Sequence, residues 1–260
     1  MFELKNHPLV VAHRGCSGTF PENSIPAVKR AIEVGADMIE IDIQCSSDGK
    51  VLVFHDHRIN RTTNGRGKVS SFTLKELQVL DSGSWFNERF AGETIPLLRD
   101  VMKLCAQKIQ MNIEIKSYGN DAKYNFIVEK SIKLAKEFGM ENDVIYSSFD
   151  HNLLREFWEY DTNLNLAVLY DTKRHARKSP SLLCRLAFSQ FFIADIRVLK
   201  TSLVKDAHDN GLIVGTYTVE TEAELERAIK FGADIIMSDH PEQILRWLGR
   251  SVPRDIDLIS

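Results

Sequence analysis

The chain has 260 residues, of which 43% are hydrophobic and 27% are charged, and this composition is typical of a globular protein and excludes extended disorder. The formal net charge of −3 does not favour a nucleic-acid partner, because proteins that bind nucleic acid usually carry a basic surface. The length favours one large domain over residues 1–260, and no apolar stretch approaches the roughly 20 residues that a membrane-spanning helix needs.

Eight short apolar segments, taken in chain order, have the pattern of β-strands and alternate with amphipathic helical patterns. The predicted strands cover residues 9–13, 37–43, 111–116, 143–149, 165–170, 191–196, 212–219 and 234–239. Capping boxes that begin at Thr73 and Thr221 mark two helix starts, and Gly35, Gly139 and Gly232 mark helix ends. Eight strands that alternate with helices predict a parallel (β/α)8 TIM barrel, with an open doubly wound sheet as the alternative.

An internal similarity supports the barrel. Residues 31–42, AIEVGADMIEID, align with residues 228–239, AIKFGADIIMSD, and seven of the twelve positions are identical. Each segment contains a helix end, a glycine cap and the start of a strand, which is the joint that a barrel repeats.

Residues 57–97 interrupt this alternation. The segment is rich in Gly, Ser, Thr and Asn and contains one predicted short helix, over residues 74–80. We interpret it as an insertion after the second strand unit, on the loop side of the barrel, where long ordered segments are usually functional.

Charged residues lie at alternate positions of two predicted strands. Glu40 and Asp42 share one side of the second strand, and Glu114 and Lys116 share one side of the third. Three carboxylates that point into one barrel mouth suit a hard divalent cation such as Mg²⁺ or Ca²⁺. The alternative is an ion-pair network around Lys116, which would leave at least one carboxylate unpaired.

Two histidines end apolar runs close to these carboxylates. His13 ends LVVAH, and His55 ends the run VLVFH after the turn SSDGK. Because imidazole titrates near neutral pH, we interpret the pair as a general acid and a general base. Arg14 provides a fork of donors for a phosphate group, and Lys116 provides a point charge beside it.

Three further residues have less specific patterns. Asp56 could orient His55 or cap the next turn, and we favour the cap. We expect Asp239 to cap the helix that follows it. Tyr217 lies near the end of its strand, where it is a candidate for the wall of a substrate pocket or an ordinary barrel aromatic residue.

Together these motifs resemble the glycerophosphodiester phosphodiesterase family. The resemblance covers residues 9–248 and is carried, in order, by AHRGCSGTFPENS, GADMIEIDIQCSSDGKVLVFHD, RTTNGRGKVSSFTLKEL, NIEIK, SSFD and MSDHP. It implies a (β/α)8 barrel with a family-specific insertion after the second strand. It also implies metal-dependent hydrolysis of small glycerophosphodiesters to sn-glycerol 3-phosphate and an alcohol. Mn²⁺ is a candidate for the divalent metal in addition to Mg²⁺ and Ca²⁺.

The resemblance assigns a role to seven residues by motif position. The acid–base pair falls on His13 and His55, the metal ligands on Glu40, Asp42 and Glu114, and the phosphate-facing residues on Arg14 and Lys116. The chain departs from the family pattern at Tyr217, where tryptophan is common, and at Ser24 and Ile25, where a Thr-Leu pair is common. The departure at Tyr217 leaves the shape of the substrate pocket open.

Several alternatives remain at this point. The attacking hydroxyl is either water or the neighbouring glycerol hydroxyl, which would give a transient cyclic phosphate, and we favour the glycerol route. The substrate could instead be a lysophospholipid, or the barrel could be a non-catalytic sensor of a phosphate ligand. We expect no signal peptide at the start of the sequence, and the four cysteines have no paired spacing, so we expect a soluble cytoplasmic protein.

Overall fold

The computed structural model describes residues 8–118 and 124–253, and these form a barrel of parallel strands surrounded by helices. The strands are β1 Leu9–His13, β2 Met38–Cys45, β3 Val51–Val53, β4 Gln110–Ile115, β5 Val144–Ser148, β6 Asn165–Tyr170, β7 Phe191–Asp195, β8 Ile213–Tyr217 and β9 Ile235–Ser238. The α-helices are α1 Ile25–Glu33, α2 Leu74–Leu77, α3 Leu98–Cys105, α4 Tyr124–Glu137, α5 His151–Tyr160, α6 Thr172–His175, α7 Pro180–Leu186, α8 Thr201–Asp209, α9 Glu222–Phe231 and α10 Pro241–Trp247.

The sheet is closed, because β1 pairs in parallel with both β2 and β9. Around the barrel the strand order is β1, β2, β4, β5, β6, β7, β8 and β9. The eight predicted strands and the closed barrel are therefore confirmed, and the open sheet is excluded. The three-residue β3 was not among the predicted strands; it pairs antiparallel with the end of β2.

The two faces of each barrel strand have different partners. Ile39, Ile41 and Ile43 of β2 belong to the apolar layer between the strands and the helices. The inward residues at the start of the strands, such as Leu9 and Met38, fill one end of the barrel interior with a second apolar cluster. Because successive side chains alternate between these faces, later inward positions of the same strands reach the carboxyl end of the barrel.

The helix signals in the sequence are also confirmed. Thr73 and Thr221 form complete capping boxes with Glu76 and Glu224, so both helices begin where the sequence predicts. Gly232 ends α9 with a φ of 88°, a left-handed conformation that costs glycine little.

The internal similarity has a structural counterpart in the neighbouring strands β9, β1 and β2. Asp37, just before β2, accepts a hydrogen bond from the backbone N–H of Val10 over 2.8 Å. Asp234, the equivalent residue before β9, accepts one from Val214 over the same distance. The repeated aspartate thus joins each strand start to an adjacent strand, which helps to set the register.

Residues 57–97 connect β3 to α3 and contain α2 together with 3₁₀ turns at Val69–Ser71 and Glu88–Phe90. The predicted short helix is present but ends at Leu77 rather than at residue 80. Ile59, Val69, Leu77 and Ile95 of this segment form an apolar cluster with Leu52 and Phe54, which precede it. Within the described ranges, no helix has the length and the apolar character required to cross a bilayer.

Candidate active site

Three carboxylates converge at the carboxyl end of the barrel, as the strand pattern predicts. β2 and β4 are neighbours, and their register places Asp42 beside Glu114. One carboxylate oxygen from each of Glu40, Asp42 and Glu114 lies within 4.8 Å of the others. Glu40 and Asp42 are 3% and 1% exposed, so their charges are shielded from water.

Lys116 and Asn23 hold two members of this cluster in place. Lys116 Nζ lies 2.8 Å from Asp42 Oδ1 and also contacts Glu114. Asn23 donates from Nδ2 to Asp42 Oδ2 over 2.8 Å, and its own Oδ1 accepts from the Asp42 backbone N–H. Burial opposes the charge of Asp42, but Lys116 and Arg14 outweigh it and hold the pKa of Asp42 below its ordinary value.

Within the described residues, the only ion pair of Glu40 is a longer one, with His13, whose Nε2 lies 3.9 Å from Glu40 Oε2. Its Oε2 accepts a hydrogen bond from the Arg14 backbone N–H, whereas its buried Oε1 accepts none within the described part of the chain. Burial, together with the negative charge of Asp42, raises the pKa of Glu40 to about 8. A buried carboxylate oxygen without a partner is costly, and a cation would relieve that cost.

The donor set therefore fits a hard divalent cation. Glu40, Asp42 and Glu114 all offer oxygen atoms, which are the ligands that Mg²⁺, Ca²⁺ and Mn²⁺ prefer. The unpaired Oε1 of Glu40 is the observation that favours a bound cation over an ion-pair network alone, because Lys116 satisfies only the other two carboxylates.

His13 lies at the end of β1 and is oriented by Asp239. Its Nδ1 donates to Asp239 Oδ1 over 2.6 Å, and Ser17 Oγ donates to the same oxygen. The expectation that Asp239 caps the next helix is wrong: the N-cap position belongs to His240, and Asp239 turns instead to the barrel mouth. Burial opposes a charge on His13, but Asp239 and Glu40 outweigh it and raise its pKa.

His55 has a similar partner in the residue that follows it. Its Nδ1 lies 2.6 Å from Asp56 Oδ1, which accepts the hydrogen bond. The favoured interpretation of Asp56 as a turn cap is therefore wrong, because both of its oxygens bind side chains. Burial lowers the pKa of His55 despite the charge of Asp42.

Arg14 links the turn after β1 to the acidic residues. Its Nη1 donates to Glu22 Oε1 over 2.9 Å, and its Nε lies 3.4 Å from Asp42 Oδ2. The chain turns sharply here, and Gly15 adopts a φ of 79°. A Cβ at Gly15 would lie 2.7 Å from the backbone of Ala27, which explains why glycine follows Arg14.

The predicted site residues surround one cavity of about 240 Å³. Its lining includes His13, Arg14, Glu40, His55, Asn112, Glu114, Lys116, Phe149, Leu169, Tyr217, Thr218 and Met237. Asp42 is the one predicted site residue that does not belong to this lining. Charged side chains share this lining with the apolar side chains of Phe149, Leu169 and Met237, so the cavity can receive a small anion that carries an organic group.

A second cavity, of about 320 Å³, adjoins the first. Both are lined by His55, Glu114, Lys116 and Phe149. The second one also includes Asp150, Asp171 and Arg174. The two spaces thus meet at His55, and a group that extends from the first cavity would enter the second beside that imidazole.

Four contacting residues were missed or misread in the sequence: Glu22, Asn23, Asp56 and Asp239. The internal similarity contains a signal for one of them, since Asp239 aligns with Asp42 at the twelfth position of the repeat. Glu22 and Asn23 lie in a motif that was noted only for its resemblance, and no spacing rule connects them to Asp42.

The chain is similar to known proteins over most of its length. Residues 13–243 match the glycerophosphoryl diester phosphodiesterase family. A glycerophosphodiester phosphodiesterase of Caldanaerobacter subterraneus subsp. tengcongensis is 42% identical over 238 residues, covering 91% of this chain and 96% of that protein.

Solved structures have the same barrel. A phosphodiesterase of Oleispira antarctica, in complex with the product sn-glycerol-3-phosphate, superposes with a TM-score of 0.84 at 25% identity, over 94% of this chain and 97% of that one. A glycerophosphodiester phosphodiesterase of Agrobacterium tumefaciens gives a TM-score of 0.79 at 26% identity, over 92% and 99% of the two chains.

Proposed function

Because the chain belongs to the glycerophosphoryl diester phosphodiesterase family and is an enzyme of that activity, we propose that it hydrolyses small glycerophosphodiesters to sn-glycerol 3-phosphate and an alcohol. In this proposal the reaction uses a divalent cation, and His13 and His55 are its acid–base pair. The observation that carries the proposal is that both histidines line one cavity with Glu40, Glu114, Arg14 and Lys116. The product named for the Oleispira antarctica structure supports the choice of substrate.

The two imidazoles supply the proton transfers of the reaction. One of them accepts the proton of the attacking hydroxyl, and the other donates a proton to the departing alkoxide, so the total charge of the pair is unchanged while the two imidazoles exchange protonation states. If the attacking hydroxyl is that of the glycerol, the same pair with reversed roles then adds water to the cyclic phosphate, which gives sn-glycerol 3-phosphate and restores both imidazoles. If it is water, proton exchange with solvent restores them. Asp239 and Asp56 hold the Nδ1 atoms, which leaves each Nε2 as the atom that exchanges protons with the substrate.

Charge at the site supports an anionic substrate only when the carboxylates are neutralised. Glu40, Asp42 and Glu114 oppose Arg14 and Lys116, so these five side chains carry a net charge of −1 when all are ionised. A divalent cation held by the three carboxylates would reverse that sign, bind the phosphodiester oxygens and stabilise charge that develops in the transition state. Arg14 then remains beside the cavity as a cationic donor for a phosphate oxygen.

The leaving alcohol fits the second cavity in this proposal. That cavity meets the first at His55, so an alkoxide formed there departs past an imidazole. Tyr217 lines the first cavity only, which supports a role in the wall around the glycerol phosphate rather than around the alcohol.

The test is the release of sn-glycerol 3-phosphate from glycerophosphocholine by the purified protein, first with EDTA and then with Mg²⁺, Ca²⁺ or Mn²⁺ restored. We expect EDTA to abolish release and at least one cation to restore it. Release that is unaffected by EDTA would contradict the metal site. Equal hydrolysis of lysophosphatidylcholine would favour the lipid-acting alternative.

A further inference from the structure

A single guanidinium, that of Arg61, lies between two acidic residues that each hold a residue of the proposed catalytic machinery. Arg61 belongs to the 57–97 segment, and none of the sequence motifs assigns it a role. We propose that Arg61 is a positioning residue for the phosphodiesterase reaction, which clamps Asp56 and Glu22 and thereby fixes the orientation of His55 and Arg14. The inference rests on the proposed function of those two residues.

The contacts of Arg61 are bidentate on both sides. Nε donates to Asp56 Oδ2 over 2.7 Å, and Nη2 donates to Asp56 Oδ1 over 3.0 Å. Nη1 donates to Glu22 Oε2, and Nη2 donates to Glu22 Oε1, each over 2.7 Å. Four hydrogen bonds therefore fix the plane of the guanidinium relative to two carboxylates from different parts of the chain.

Each of these carboxylates continues to a residue of the site. Asp56 Oδ1 accepts the hydrogen bond of His55 Nδ1 over 2.6 Å, and Glu22 Oε1 accepts that of Arg14 Nη1 over 2.9 Å. The result is one connected chain of side chains in which Arg61 is the middle member. A rotation of Arg61 would release an acid–base residue on one side and a phosphate-binding residue on the other.

Stability alone does not account for this arrangement. The Arg61 side chain is 44% exposed, and exposed ion pairs contribute little to the free energy of unfolding. Geometry is the better explanation, because a planar fork can hold two carboxylates at fixed angles whereas the ammonium of lysine is a point charge on a flexible stem. Without the guanidinium, Glu22 and Asp56 would carry like charges with no cation between them.

The test uses Arg61→Ala and Arg61→Lys in the holoenzyme with its activating cation. We expect kcat to fall about 10–100-fold in both variants, as for other residues that orient a catalytic group. Guanidinium chloride in the tens of millimolar, far below the molar range in which it unfolds proteins, should restore part of the activity of Arg61→Ala. Such rescue reports on the missing fork, because a merely structural contribution of Arg61 to folding would not respond to it.

Arg66→Ala is the matched control. Arg66 lies in the same segment, is exposed, and has no hydrogen bond or ion pair to another residue in the described part of the chain. We expect its kcat to match that of the wild type with and without guanidinium.

Three outcomes would overturn the inference: activity of Arg61→Ala within about threefold of the wild type, full activity of Arg61→Lys, or a loss in Arg61→Ala that guanidinium does not reverse. His55→Ala, assayed in parallel, separates this inference from the proposed function. If His55→Ala keeps its activity, the two-histidine mechanism fails, and with it the pathway through Asp56. If His55→Ala is inactive while Arg61→Ala is fully active, only the inference about Arg61 fails.

Discussion

The two ends of the barrel interior use the same alternating strand positions for opposite purposes. Along β1 the inward residues are Leu9, Val11 and then His13, and along β2 Met38 precedes Glu40. The apolar end excludes water and packs the strands together, whereas the charged end places ionisable groups where they are hard to hydrate. Two residues along a strand thus separate a packing position from a catalytic one. Substitutions at the charged end should lower kcat, whereas substitutions at the apolar end should lower the free energy of unfolding.

The largest expected effect is on catalysis at the charged end. His13→Ala and His55→Ala should each lower kcat by about 10²–10⁴-fold, because each removes a proton-transfer group while it leaves the apolar end intact. KM should change far less than kcat. Steady-state kinetics on glycerophosphocholine checks this, with His208→Ala on α8 as the control that should keep wild-type activity. A tenfold or smaller loss of kcat at either residue, on the order of 1.4 kcal/mol, would remove that histidine from the mechanism.

At the apolar end the expected effect falls on stability. Ile193→Ala should lower the free energy of unfolding by about 2–5 kcal/mol, because Ile193 is 1% exposed inside the barrel and its loss leaves a cavity. The kcat per folded molecule should not change. Urea titration measures the effect, and Ile229→Ala is the matched control, since that isoleucine is 46% exposed and should cost less than about 0.5 kcal/mol. Equal losses in the two variants would contradict the proposed packing.

A smaller catalytic effect is expected at the residue that orients His13. Asp239→Asn should reduce kcat by about 10–100-fold, because an amide holds the imidazole less firmly and no longer favours the tautomer with a proton on Nδ1. Thermal unfolding should be nearly unchanged. Asp209→Asn, an exposed aspartate at the end of α8, is the control for a change of charge alone. Full activity of Asp239→Asn would show that the Asp239–His13 contact is not used in the reaction.

A further effect concerns the pH dependence of stability. In the metal-free protein the pKa of Glu40 is raised to about 8, so the folded state binds this proton more tightly than the unfolded chain does. Stability should therefore fall as the pH rises from the ordinary range of glutamate towards 8, and it should level off above that value. Urea midpoints in EDTA across this range should show a shallower dependence for Glu40→Gln. Identical slopes would show that Glu40 ionises freely in the folded state.

Much of this arrangement follows from local pattern. Glu40, Asp42, Glu114 and Lys116 could be assigned to the barrel axis because strand alternation fixes which side chains share a face, whatever the rest of the chain does. The strand ends that carry His13 and the carboxylates followed from the same rule. The three-residue β3 was missed because so short a run has no period of its own and forms only against β2.

The partners of the histidines could not be predicted in the same way. Asp239 lies 226 residues from His13, and its choice between a helix cap and an imidazole is decided by the closure of the barrel. Asp56 and Arg61 are close in sequence, but their hydrogen bonds depend on how the 57–97 segment folds back over Glu22. For Asp239 and for Asp56, local rules favour a cap, but tertiary contacts override those rules.

The most direct test of this division between the two ends is the stability and activity of Glu40→Gln, measured with and without a divalent cation at pH 8. The substitution keeps the shape of the side chain and removes a buried charge. In EDTA we expect the variant to be at least as stable as the wild type. Added cation should stabilise the wild type much more than the variant, and the activity of the variant with cation should be at least ~100-fold lower. A variant that is destabilised by more than about 1 kcal/mol in EDTA, or that gains the same stabilisation from the cation, would contradict the account.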